Sequence, residues 1–169
     1  MKRNILLSIT AAALVIAPAA YCQSASQGTT MNMTVGPEAT FTSVDASTTI
    51  QKSDTIFGSF TGTTNFTYKI RTTQTSGSGS ITVQIVAFQT NGPATSDVSY
   101  TCTAPTSGTP CASSTGASTS AATSVVVFGA DVHSGQSGDS GTAVWTIVDK
   151  TATKTGTYSS LATYTIAAL

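Results

Sequence analysis

The chain has 169 residues, and only 8 % of them are Asp, Glu, Lys or Arg, against about 25 % in an average globular domain. Its seven basic and seven acidic side chains cancel at pH 7, so no basic patch is available for nucleic acid or an anionic lipid surface. Thr fills about a fifth of the chain, which favours strands because a β-branched hydroxyl side chain suits a pleated surface that faces water without charge.

The first element in chain order is a targeting segment. Lys2 and Arg3 precede an apolar run from Ile5 to Ala17, and small residues follow, with cleavage expected after Ala19, Ala20 or Cys22. The run is too short and wrongly flanked to be a membrane span. Residues 1–22 are therefore read as a secretory signal peptide and the protein as secreted, at or beyond the cell surface. A lipid anchor on Cys22 is the competing reading, and Tyr21 argues against it because a bacterial lipid-attachment motif wants a small residue there. Without Lys2 and Arg3, five basic and seven acidic residues remain, a formal charge of −2.

Residues 23–38 follow as an N-terminal extension or a first strand. In TTMNMTVGPEATF, Met31, Met33 and Val35 alternate with Thr30, Asn32 and Thr34. That pattern suits the first strand of the chain's own sandwich. It equally suits a strand donated to a neighbour, where main-chain hydrogen bonds give affinity and alternate side chains fill pockets.

Residues 39–169 carry strand signals separated by turns and no helical period. The candidates are ATFTSVDA, DTIFGSF, TTNFTYKIRTT, SITVQIVAF, DVSYTCT, SVVVFGADV, TAVWTIVD and the last stretch, enough for two sheets. In TTNFTYKIRTT, Phe66, Tyr68 and Ile70 alternate with polar residues, so one face is core and the other is wet. The linker QTSGSGS into SITVQIVAF predicts a hairpin. VVVFGA and AVWTIV read as central strands, with Trp145 as a core anchor. The fold class expected is all-β, an Ig-like antiparallel β-sandwich in a single domain.

Cys102 and Cys111 bracket a Pro-, Gly- and Thr-containing loop, and in an exported protein such a pair predicts a disulfide. ASSTGASTSAATS reads as an exposed loop after it. The single histidine, His133, lies between Asp131 and Asp139, a weak set for a metal and no basis for a nucleophilic triad. Neither a catalytic residue, a metal site nor a cofactor is expected. In GTYSSLATYTIAAL, Tyr158, Ser160, Ala162, Tyr164, Ile166 and Ala168 share one face of a terminal strand. Such a strand either completes its own sheet or offers an edge to another chain.

An exported, Thr-rich chain with the early alternating segment and the terminal GTYSSLATYTIAAL resembles the pilin and spore coat protein U type of chaperone–usher subunit. In such subunits the last strand is recognised by a periplasmic chaperone, and the N-terminal extension of one subunit completes the sheet of the next. The resemblance implies self-association or other surface subunits as partners, a periplasmic chaperone, and Met31, Met33 and Val35 as the donor strand. Pilin disulfides usually tie strands near the N-terminal half, whereas Cys102 and Cys111 close a local loop. The function expected is a secreted, non-catalytic structural or adhesive surface protein, a subunit of a pilus-like or coat assembly. The other class is an extracellular binding module for a carbohydrate or surface ligand, built on a self-contained sandwich.

Overall fold

The alternation in FTGTTNFTYKIR becomes β3 (Phe60–Arg71), whose Phe66, Tyr68 and Ile70 are buried while Asn65 and Lys69 face water. A computed structural model describes residues 26–53, 55–103 and 107–169. The signal segment, the cleavage sites and Cys22 lie outside the described residues, as do Asp54 and 104–106. Thr34–Leu169 forms one compact unit, and the segment up to Met33 is a separate one in which residues 26–33 carry no strand.

Two antiparallel sheets pack face to face in the larger unit, as the composition and strand count predict. The remaining strands are β1 (Glu38–Val44), β2 (Gln51–Lys52), β4 (Gly79–Ile85), β5 (Val98–Thr103), β6 (Thr109–Pro110), β7 (Thr115–Gly116), β8 (Thr123–Phe128), β9 (Asp139–Ile147) and β10 (Ala162–Ala168). One sheet runs β7-β5-β9-β3-β1, with β2 beside the other end of β3, and the second runs β10-β4-β8-β6. The core lies between them. Phe66, Tyr68, Ile81, Val83, Tyr100, Val125, Val126 and Phe128 are its largest fully buried members. Aromatic rings carry it across the gap: Tyr68 meets Phe128 at 5.4 Å and Phe66 meets Tyr164 at 5.9 Å between centroids.

Three features differ from the sequence reading. The QTSGSGS segment is not a hairpin turn, because β3 and β4 belong to different sheets and the segment carries the chain from one to the other. Its bend is tight at Gly77, where a Cβ would come within 2.1 Å of the Thr73 carbonyl oxygen. Within DTIFGSF, residues 55–59 form a turn, with Phe57 at φ 55°, and strand geometry begins at Phe60. The stretch after Cys111 is not wholly loop: β7 pairs with β5, and the Ser118 carbonyl accepts from the Ile85 amide. The VVV run lies in β8, a central strand between β4 and β6, as its apolar character in the sequence predicts. The pairing of β4 with β8 slips at Ile81/Thr82, a bulge that turns Val125 and Val126 both inward.

Cys102 and Cys111 are bonded, as their pairing in the sequence predicts. Cys102 belongs to β5 of one sheet, whereas Cys111 follows β6 of the other and donates its amide to the Val125 carbonyl. The bridge therefore staples the two sheets. Closing so short a loop removes about 2 to 3 kcal/mol of unfolded-chain entropy.

Buried tyrosines make the sandwich sensitive to alkali. Burial, then the nearby Asp139 carboxylate, pushes the Tyr68 hydroxyl from 10.0 up to about 12. Burial also raises Tyr100 and Tyr164. The folded state favours the neutral phenols, so this stability is intact below the unfolded value near 10 and is lost as pH rises towards about 12. The Tyr68 share is at most about 3 kcal/mol. Alkaline titration should show these tyrosines ionising together with loss of the β-sheet circular-dichroism signal. Ionisation of all of them near pH 10 with the fold intact would contradict this reading.

Candidate functional site

At the end of the sandwich where β1 leaves the ladder, the two sheets part. There the Asp45 amide still donates to the Asn65 carbonyl at 3.0 Å, while its carboxylate accepts from the Asn65 amide at 2.8 Å and from Asn65 Nδ2 at 2.9 Å. Beyond it, residues 45–50 form one wall of a cavity of about 410 Å³, and residues 158–162 form the other. A cavity of that size is in the range of small-ligand sites. The second wall is clasped to the body by Gln89, whose side-chain amide donates to Ser159 Oγ at 2.8 Å and accepts from the Ser159 amide at 2.9 Å. Gln89 carries no signal in the sequence, because its partner is 70 residues away.

The floor is apolar, made by Trp145, Ile85, Phe88, Val98 and Ile147, with one polar cluster. Trp145 Nε1 donates to Thr64 Oγ1 at 2.9 Å, and the Thr64 and Thr48 hydroxyls are 2.5 Å apart. Beside them the Tyr164 hydroxyl is buried with no hydrogen-bond partner. An orphaned buried hydroxyl is costly, by about 1 to 3 kcal/mol. The cavity can therefore take an apolar group carrying one hydrogen-bonding atom.

The residues singled out in the sequence are not gathered in one place. Tyr164 and Ile166 point inward from β10, half-buried, as the alternation predicts. Tyr158 precedes β10 instead of belonging to it, lines the cavity and donates its hydroxyl to the Lys154 carbonyl at 2.9 Å. Met31 and Met33 are exposed and sit in no strand. Val35 lines a separate cleft with Arg71 and His133. In that cleft His133 Nδ1 lies 3.3 Å from the Asp131 carbonyl oxygen, and Asp139 accepts from the Ser107 hydroxyl instead of meeting His133. Among the described residues no three His, Cys, Asp or Glu side chains could share a metal ion. No helix among them is long and apolar enough to cross a membrane.

Among the described residues, the four sheet edges are unequally protected. β7 and β6 have two residues each, and β6 contains Pro110 next to the disulfide. The β1 edge is bulged between Phe41 and Ser43 and carries the Glu38–Arg71 ion pair at 2.9 Å. By contrast, β10 runs seven residues in unbroken register with β4 and has no charge, proline or bulge. Natural sheets blunt such edges when they are not used. Comparison with protein families, with curated proteins and with solved structures finds no match.

Proposed function

We propose that the protein is an exported, non-catalytic structural or adhesive surface subunit that joins other chains through main-chain pairing. The observation that carries this reading is the β10 edge, which no described strand pairs although β1 packs near it, beside three blunted ones. Two sequence features support it: the signal-like segment, and the alternating Met31, Met33 and Val35 segment that contributes no strand to the sandwich. The resemblance to chaperone–usher pilins and spore coat protein U points the same way. On that reading the segment is the strand handed to a neighbour, and a periplasmic chaperone attends the exported chain.

Deleting Thr29 to Val35 tests it. The thermal melt of the monomer should be unchanged, because these residues pair with no strand. Sedimentation should show loss of the long polymers formed by the full exported chain, and an antibody should find filaments on cells making only the full chain. Unfolding of the truncated monomer would make the segment part of a self-contained sandwich.

One observation favours a second reading, an extracellular binding module. The cavity brings Trp145, Tyr158 and Tyr164 together, and aromatic walls with a free hydroxyl suit a sugar or another amphipathic surface ligand. Saturable binding of an oligosaccharide that is lost in Tyr164→Phe, with no polymers at any concentration, would select it.

A further inference from the structure

We infer that β10 pairs antiparallel with β10 of a second copy, around a two-fold axis passing through Thr165. The inference rests on the assembling reading above and gives it one specific contact. Its basis is the parity of the ladder. The Leu169 amide and carbonyl both bond Ser78, and the Leu161 carbonyl accepts from the Val86 amide, so odd-numbered residues spend their main-chain groups on the β4 side. The N–H and C=O groups of Ala162, Tyr164, Ile166 and Ala168 consequently face the edge that no described strand pairs.

An occupant of this edge must be an uncharged strand, since nothing on β10 would compensate a charge brought against it. The identical strand meets that demand, and its side chains match in one register. With the axis at Thr165, Leu161 stands opposite Leu169 of the second copy, and Leu169 opposite its Leu161. Both leucines are exposed in the single chain, at 66 % and 72 %. Thr163 then faces Ala167, and on the inner face Tyr164 faces Ile166 and Ala162 faces Ala168. The open-edge groups exchange about eight main-chain hydrogen bonds. Moving the axis to Tyr164 or Ile166 breaks both leucine pairs and shortens the overlap. The result is a continuous sheet through two sandwiches, β6-β8-β4-β10 meeting its own copy. An interface of two short strands is small, so the dimer is concentration-dependent.

Register-specific cross-linking tests the pairing on the full exported chain. Thr165 opposite itself is a pair without main-chain bonds on that side, with Cα atoms about 4.5 Å apart, within disulfide range. Thr165→Cys should form a covalent dimer under mild oxidation, beyond any formed by the unsubstituted chain. Thr163→Cys alone should not, and Thr163→Cys mixed with Ala167→Cys should. Thr165→Lys, which sets like charges face to face, should weaken the dimer about fivefold in sedimentation. A Thr165→Cys chain that stays monomeric, or a Thr163→Cys chain that cross-links as well as Thr165→Cys, overturns the pairing. Polymers that persist without the Thr165 cross-link would leave assembly standing and remove only this contact. A cross-linked dimer with no longer species, in the presence or absence of Thr29 to Val35, would keep this contact and remove the donor-strand assembly.

Discussion

Removal of Tyr164 to Leu169 should leave a chain with no stable, soluble fold. These residues pair with β4 from Val83 to Gly79, and Leu169 further bonds Ser78 and Thr73. Leu169 thereby holds the segment that carries the chain from β3 in one sheet to β4 in the other. Fully burying a Tyr or an Ile contributes about 1.5 to 3 kcal/mol each. Tyr164 and Ile166 are only partly buried, so each contributes less than that. The ladder adds about 1 kcal/mol per hydrogen bond, and its loss also bares Ile81 and Val83, which are completely buried. Set against a total stability of about 5 to 15 kcal/mol, the sum removes most of the margin. Circular dichroism and a thermal melt decide it, with Ile166→Ala as a milder companion that should fold and lose about 1 to 2 kcal/mol. A truncated chain that melts with the full one would mean that β10 is not needed by its own sheet.

Trp145→Ala should be the most damaging single substitution, at about 3 to 5 kcal/mol. Trp145 sits on β9 between β3 and β5, packs against Tyr100 at 5.1 Å and anchors Thr64, itself only 4 % exposed. Truncation leaves a hole and deprives the Thr64 hydroxyl of its indole donor. Trp145→Phe keeps most of the volume and loses the donor, so it should cost about 1 to 3 kcal/mol. Urea denaturation measures both. If Trp145→Ala stays within about 1 kcal/mol of the parent, the side chain lines the cavity without supporting the core.

Much of the fold was legible locally. The inward face of β3, the buried Trp145 and the half-buried Tyr164 and Ile166 all follow from side chains alternating with a period of two. The bonded pair Cys102 and Cys111 follows from two cysteines bracketing one short polar loop in a chain read as exported. These features need only the chain's own neighbours along the sequence. Tertiary structure decided the rest, because the same period of two describes any strand in any sheet. It does not say that β3 and β4 part company where a Gly- and Ser-rich linker suggests a hairpin. It does not say that a ten-residue cystine loop spans two sheets. The inward pair Val125 and Val126 depends on a bulge set by the register against β4. The cavity depends on Asp45 ending one ladder and Gln89 clasping a segment far along the chain. Which edge stays open is likewise a property of all the strands together: β10 has the same alternation as β3, and only its place at the end of a sheet leaves half its main-chain groups facing outward.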